Sequence, residues 1–439
     1  MSVRTAVILA GGKGSRLASV AGDLPKSLVP IGGKPVLQHQ LELLAGAGFK
    51  GVRIFAGYLA DKILAFTGDG SRFGLKISIE VEDQPLGSAG AVLQKLQSLP
   101  EHFLVLYGDT MLAVDLEKFA RAHLQSGADL TTFVHPNDHP HDSDLVEADA
   151  QGRVTALRPY PHPPGEVFGN LVNAALYVIR RDALKVWAGE VVKRDFAKDA
   201  LPDLLTRGAK IHSYRSTEYI KDMGTPVRLA KVEHDWQAGR IHFRGEHYLD
   251  AAVFLDRDGT LNEENGFIRS PDQLHVFPGA AEALKKLRAA GFRLVVLTNQ
   301  PVIARGEASE SEVEAIHRKL EWELGLEGAY LDAIYYCPHH PDKGFPGERS
   351  ELKGPCECRK PGVGLLHKAC KELGLDPARS WMVGDRTADV ELAARGGLRS
   401  VLLETGAAGS DGKHPQAKPD HIVPDIAAAA ELILEATEA

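Results

Sequence analysis

Short apolar runs alternate with stretches of helical periodicity almost from end to end of this chain, and that alternation confines it to a narrow set of folds. The runs are Ala6 to Leu9, Val52 to Phe55, Phe103 to Tyr107, Ala174 to Ile179, Ala252 to Leu255, Leu294 to Leu297, Trp381 to Val383 and Ser400 to Leu403. Between them, segments such as Val36 to Leu44 and Ala280 to Leu287 repeat apolar residues three and four apart, the spacing of one helix face. The pattern predicts α/β architecture, with parallel sheets covered by helices. In such sheets ligands gather at the carboxyl ends of strands, where the Gly-rich loop after Leu9, Asp109, Asp256, Thr298 and Asp385 all fall. A length of 439 residues exceeds one ordinary core. The polar, aperiodic stretch from Trp236 to Asp250 marks the boundary, giving two layered domains, 1–236 and 251–439, with a linker at 237–250. Pro159 to Pro164 and Gly406 to Lys418 read as surface loops.

The net charge is −8 and no basic run appears, which argues against nucleic acid as a partner, because non-specific binding needs Lys and Arg massed on one face. No apolar stretch reaches the roughly 18 residues of a membrane span. Met1 to Arg4 leads into a strand without a signal-peptide pattern. A cytoplasmic protein without membrane contact is expected, with homo-oligomerisation left open.

The first strand runs into Ala10-Gly11-Gly12-Lys13-Gly14-Ser15-Arg16-Leu17. Glycines let the backbone approach a triphosphate and aim N–H groups at it, and Arg16 and Lys26 can offset the charge that collects on departing pyrophosphate. The string Leu9-Ala10-Gly11-Gly12-x-Gly14-x-Arg16-Leu17, followed by Pro25-Lys26-x-Leu28-x-Pro30, resembles the signature of the sugar-1-phosphate nucleotidyltransferases. Asp83-Gln84-Pro85-Leu86-Gly87-Ser88-Ala89-Gly90-Ala91 looks like that family's base-recognition loop and following helix, and Leu106-Tyr107-Gly108-Asp109 like the strand end whose Asp holds magnesium. Lys221-Asp222-Met223-Gly224-Thr225-Pro226 looks like the second metal-binding Asp with its turn. The resemblance implies a Rossmann-like domain in which Leu9, Ala10, Gly11, Gly12, Gly14, Gln84, Gly87 and Gly108 contact the nucleotide and Asp109 and Asp222 hold Mg²⁺. A sugar 1-phosphate oxygen would then attack the α-phosphorus of a nucleoside triphosphate in line. Leu157-Arg158-Pro159 stands where the family often has Glu-Lys-Pro, so Arg158 is the candidate for the sugar phosphate. Asn173 is the candidate for a sugar hydroxyl, with a structural amide as its alternative.

The strand Val253 to Leu255 runs into Asp256-Arg257-Asp258-Gly259-Thr260. Asp256 can attack phosphorus, and Asp258 can protonate the leaving alkoxide and then activate water. Leu297-Thr298-Asn299-Gln300, Arg359-Lys360-Pro361 and Gly384-Asp385-Arg386-Thr387-Ala388-Asp389 follow in order, and the set resembles the haloacid dehalogenase superfamily of phosphatases. The resemblance implies a second Rossmann-like domain in which Thr298 and Asn299 orient the phosphoryl group and Lys360, beside Arg359, neutralises it. Asp385 would complete an Mg²⁺ site with Asp256 and the Asp258 carbonyl, and Asp389 would act through water or orient the loop.

Of four cysteines, Cys337, Cys356 and Cys358 sit close together. With one imidazole, that of His339 by analogy and with His340 as the alternative, they make the three-thiolate, one-imidazole set of structural zinc, with no open position for catalysis. The loop Pro341 to Pro355 has few core candidates, so a metal is a sensible way to order it, and its end delivers Arg359 and Lys360. Cys370 reads as a buried small residue.

This zinc-loop arrangement, with Gly266-Phe267-Ile268, Pro278-Gly279 and Ile303-Ala304-Arg305-Gly306, resembles the heptose-1,7-bisphosphate 7-phosphatases more than the histidinol phosphatases, and adds Arg305 to the substrate-binding candidates. Pro301-Val302 departs from the usual Ser-Gly. Loss of a 7-phosphate leaves the 1-phosphate that the N-terminal half requires as nucleophile. The pairing implies a bifunctional enzyme of nucleotide-activated heptose biosynthesis, using GTP by analogy with heptose- and mannose-1-phosphate guanylyltransferases. Two alternatives are a mannose-1-phosphate guanylyltransferase fused to a histidinol-phosphate-like phosphatase, and a phosphatase controlled by an inactive nucleotide-sugar-sensing domain.

Overall fold

The computed structural model describes residues 2–12, 15–17, 20, 22–82, 84–149, 151–241, 249–264 and 266–438. The chain divides into two compact units: Met1–His135, Asp144–Tyr160 and Leu171–Glu246 form the first, and Pro136–Ser143, Pro161–Asn170 and His247–Ala439 the second. Of the expected linker, His242, Arg244, Glu246 and His247 lie outside the described residues. Trp236 belongs to the helix Pro226–Gln237, where its indole lies 4.8 Å from the His39 ring. No helix among the described residues is long and apolar enough to cross a membrane.

The first unit is built on a nine-stranded sheet. Four parallel strands lie in the order Lys76–Val81, Gly51–Ala56, Thr5–Ala10 and His102–Tyr107. Val172–Arg180 then joins antiparallel, so the sheet is mixed where the alternating pattern predicted a parallel one. Apolar runs announce a strand but carry no direction, which pairing and connection decide. Ala6 and Ile8 enter one apolar cluster and Val7 another, as a sheet buried on both faces demands.

The second unit carries six parallel strands in the order Ala333–Cys337, Arg293–Asn299, Ala252–Leu255, Trp381–Gly384, Arg399–Leu403 and His421–Val423. Val253 and Leu255 face one core cluster, Ala252 and Phe254 the other. Leu255 pairs with Val296 on one side and Val383 on the other, so the three central strands end nearly level. Asp256, Thr298 and Asp385 therefore emerge at one carboxyl edge. Cys370 is half-buried against this core, and burial pushes its thiol pKa up to about 11.

Candidate active sites

In the first unit, the strand Tyr219–Asp222 pairs antiparallel with Thr110–Ala113, placing Asp222 opposite Thr110. The Met223 N–H donates to the Asp109 carbonyl at 2.9 Å. Two carboxylates distant in sequence thus meet through backbone pairing. Lys26 Nζ lies 3.2 Å from Asp109 Oδ2, and Arg228 Nη1 donates to both Asp222 oxygens at 2.8 and 2.9 Å. A Cβ on Gly224 would lie 3.0 Å from Asp222 Oδ1, 3.7 Å from Arg16 Nη2 and 3.9 Å from Lys26 Nζ, so these charges converge on one residue that has no side chain. Two carboxylates without sulfur or imidazole suit a hard cation such as Mg²⁺.

A cavity of about 250 Å³ opens beside them. Leu9, Ala10, Gly11, Gly12, Lys26, Gly87, Gly108 and Asp109 line it; Gly14 and Asp83 lie outside the described residues, and Gln84 is exposed and does not line it. Ser88 of the following helix lines it too, and so do Glu82 and Asp195, which belong to none of the motifs read from the sequence. Ser88 Oγ donates to Asp195 Oδ2 at 2.7 Å, and the Ala89 and Gly90 N–H groups donate to the Arg194 carbonyl, fixing the start of the helix Gly87–Gln94. Glu82 reaches across to Gly11, where a Cβ would come within 2.1 Å of its Oε2. Burial raises its pKa, and no described cation pairs with it. Glu82 follows the strand Lys76–Val81 directly, at the carboxyl-end position where ligands gather, and that was the available signal.

Arg158 and Asn173 do not line this cavity. Arg158 grips Glu147 on the neighbouring strand through Nε at 3.1 Å and Nη2 at 3.3 Å. Asn173 accepts from Thr132 Oγ1 and from the Ala175 N–H, and donates to the Tyr177 hydroxyl, clamping an irregularity in its strand where Ala175 takes a positive φ.

In the second unit, Cys337, His339, Cys356 and Cys358 place their ligand atoms within 4.8 Å of one another. Sγ of Cys358 lies 3.1 Å from that of Cys337, 3.5 Å from that of Cys356 and 3.2 Å from His339 Nδ1. A tetrahedron with metal–sulfur bonds of about 2.3 Å has edges near 3.8 Å, so the set is close to zinc dimensions. Burial and neighbouring thiols push the Cys337 pKa well up, a penalty that a bound cation removes. His340 turns away to accept from the Asp342 N–H at 3.2 Å. Arg359 donates to the His339 carbonyl at 3.1 Å, tying the Cys/His cluster to the next residue, Lys360.

Lys360 is the hub of the phosphatase site. Its buried Nζ lies 2.9 Å from Asp256 Oδ2 and 2.6 Å from Asp389 Oδ1. Asp256, Asp385 and Asp389 bring carboxylate oxygens within 4.8 Å of one another. Burial, then the Asp256 charge, lifts the Asp385 pKa to about 8, and burial lifts that of Asp389 to about 6 in spite of Lys360. Asp385 Oδ1 is buried without a hydrogen-bond partner. An orphaned oxygen among crowded carboxylates is what a divalent cation would satisfy. The side-chain cluster thus includes Asp389, which the sequence left between two roles.

The Asp258 side chain points into a separate network. It accepts from Arg257 Nε and Nη2, Asn262 and Gln300 at 2.8–3.0 Å. Burial opposes its ionisation, but these donors outweigh burial and hold its pKa low. Thr298 is buried and accepts from Gln300 at 2.9 Å. The Asn299 amide donates to the Lys360 carbonyl at 3.2 Å and accepts from the Lys360 N–H at 3.0 Å. It clasps the lysine backbone. Arg305 is stacked between Phe267 and Phe345 at 4.4 and 4.2 Å and donates to Glu307.

The nucleotidyl transferase family model matches residues 5–238, and a HAD-hydrolase-like model matches 357–429. The D-glycero-beta-D-manno-heptose-1,7-bisphosphate 7-phosphatase of Haemophilus ducreyi is 43% identical over 159 residues, 36% of this chain and 85% of the relative. That of Escherichia coli K12 is 41% identical over 156 residues, 35% and 80%. Among solved structures, D,D-heptose 1.7-bisphosphate phosphatase from B. bronchiseptica, complexed with magnesium and phosphate, is 34% identical, covering 42% of this chain and 99% of that one with a TM-score of 0.37. HddC from Yersinia pseudotuberculosis is 26% identical, covering 54% and 100% with a TM-score of 0.46. The chain belongs to the nucleotidyl transferase family through its first half and to the family of these HAD-type phosphatases through its second, and is an enzyme that joins a transferase to a phosphatase.

Proposed function

We propose that the chain makes a nucleotide-activated heptose in two consecutive reactions. The first removes the 7-phosphate of D-glycero-D-manno-heptose 1,7-bisphosphate; the second transfers GMP from GTP to the heptose 1-phosphate that remains, releasing pyrophosphate. The observation that carries this reading is the pairing on one chain of a phosphatase site, whose relatives are named for that bisphosphate, with a transfer cavity. The product of the first is a nucleophile for the second.

In the phosphatase an Asp256 oxygen attacks the 7-phosphorus as the bond to the C7 oxygen breaks, with Lys360 offsetting the charge. Asp258 gives a proton to the departing oxygen, then takes one from the water that attacks phospho-Asp256, so that phosphate leaves and the carboxylate is restored. In the transferase a 1-phosphate oxygen attacks the α-phosphorus while the Gly11-Gly12 backbone, Arg16 and Lys26 receive the charge of the leaving pyrophosphate. Mg²⁺, held by Asp109 and Asp222 in one unit and by Asp256, Asp385 and the Asp258 carbonyl in the other, would draw charge from phosphoryl oxygens. Zinc on the Cys/His cluster would order the loop that ends at Lys360.

Glu82 favours guanine. A carboxylate offers two acceptors side by side, and guanine alone among the common bases presents two adjacent donors, N1–H and the N2 amino group, on its pairing edge. The anomer separates two routes: the phosphatase relatives are named for the β anomer, whereas guanylyl transfer in the enzymes the first half resembles uses the α anomer. The test is the purified chain with Mg²⁺, either anomer of the bisphosphate and each of four nucleoside triphosphates, read by mass spectrometry. GDP-heptose with one phosphate and one pyrophosphate per turnover is expected. Phosphate release from histidinol phosphate but not from either bisphosphate, or no pyrophosphate from any sugar 1-phosphate, would overturn the reading.

A further inference from the structure

Arg257 stands between the two aspartates of the phosphatase motif and is wholly buried. Its Nε donates to Asp258 Oδ1 at 3.0 Å and its Nη2 to Asp258 Oδ2 at 2.8 Å, a two-pronged grip that fixes the carboxylate plane. Nη2 also donates to Gln300 Oε1 at 3.0 Å. Guanidinium has no acceptor, so Gln300 must turn its carbonyl toward Arg257. That leaves the Gln300 NH₂ for Asp258 Oδ2 at 3.0 Å and Thr298 Oγ1 at 2.9 Å. One arginine therefore sets the orientation of two other side chains.

Every group bonded to Asp258 in this network is a donor: Arg257 twice, Asn262 and Gln300. Together they fix both of its oxygens in place.

We propose that Arg257 is a positioning residue for hydrolysis of the phosphoenzyme, holding Asp258 and, through Gln300, Thr298 in the arrangement that serves the attacking water. In that step the water oxygen bonds to phosphorus, its proton passes to Asp258, and the bond from phosphorus to Asp256 breaks. The proposal rests on the reading of Asp258 as the group that exchanges protons with water. Lysine cannot replace arginine here, because a point charge cannot fix a carboxylate and an amide together.

The experiment is rapid-quench kinetics with p-nitrophenyl phosphate, whose leaving group needs no proton, on wild type, Arg257→Lys, Arg257→Met and Asp258→Asn, with acid trapping of phospho-Asp256. Both Arg257 variants are expected to release a first equivalent of nitrophenolate rapidly and then turn over about ten- to a hundredfold more slowly than wild type, part of the usual contribution of a general base. Their kcat should fall far more than kcat/KM, and phosphoenzyme should accumulate. Equal falls in kcat and kcat/KM without trapped phosphoenzyme, or unchanged turnover, would overturn the role of Arg257. If Asp258→Asn itself forms no burst, the reading of Asp258 fails instead. If both Arg257 variants are misfolded by circular dichroism, Gln300→Leu decides: it removes the amide that Arg257 orients and must give the same burst, and its absence counts against the proposal.

Discussion

Gly259 takes φ of +77°, and a Cβ there would lie 2.5 Å from Asp385 Oδ2. Backbone and space both require glycine, since an L side chain would be strained and would push on a carboxylate at the site's centre. Gly259→Ala should cost about 1–3 kcal/mol in stability. It should also lower phosphatase turnover at least tenfold while the transferase keeps its rate. Melting curves and the two assays check this, and a normal phosphatase rate would mean that Asp385 need not stay where it is. This glycine was legible, because Asp-x-Asp-Gly-Thr is a contiguous string whose chemistry follows from residue type. For Arg158, Asn173 and Asn299 the partners were not legible in the same way. Each is committed to a partner, Glu147, Thr132 and Lys360 in turn, that reaches it only through strand register or a long loop. Arg228, which grips Asp222, belongs to no motif and was missed for the same reason.

Two elements carry predictions of their own. In the loop between Cys337 and Cys358, few apolar side chains are available, so a metal held by the Cys/His cluster would supply the order that packing does not. Cys358→Ser should lower zinc content and also phosphatase activity, because Lys360 lies two residues further on; binding free energies of small zinc modules, on the order of 10 kcal/mol, set the scale. Elemental analysis beside activity tests it: full activity with less than about half an equivalent of zinc in the wild type would exclude the structural role. The second element is the helix Leu116–Ser126 against the strand Leu130–His135. His123 Nδ1 lies 2.8 Å from Thr131 Oγ1 and its Nε2 lies 3.0 Å from His102 Nδ1. Burial, then His102, lowers the His123 pKa to about 4. The unfolded chain, with a pKa near 6.5, therefore binds the proton first as pH falls. The stability that neutral His123 confers is complete above about pH 6.5 and lost progressively towards pH 4, about 3 kcal/mol in all. His123→Gln should flatten the pH dependence of the first unit's melting in that window, and an identical slope would refute the assignment.

At the scale of the whole molecule, the two motif sets fall in separate compact units, each built from alternating strands and helices that the sequence displays openly. What the sequence did not reveal was the mixed direction of the first sheet, or that the short segments Pro136–Ser143 and Pro161–Asn170 group with the second unit, since neither stretch carries a periodic pattern of its own. Separate sites should fail separately. Asp256→Asn replaces the attacking oxygen by an amide that cannot form the phosphoenzyme, so hydrolysis of the bisphosphate should stop while pyrophosphate release from added heptose 1-phosphate continues near the wild-type rate. Asp222→Ala removes one of two carboxylates beside Lys26 and Arg16, and should reduce that transfer at least about a hundredfold, the scale of one lost electrostatic stabiliser, with phosphatase activity intact. Mixing the two variants then provides the decisive assay. Neither alone should turn bisphosphate and GTP into nucleotide sugar, but together they should, because heptose 1-phosphate released by the Asp222→Ala chain can diffuse to the transfer site of the Asp256→Asn chain. Failure of the mixture, with both single activities intact, would show that the intermediate never becomes free. Loss of both activities in either folded variant would show that the two sites are one.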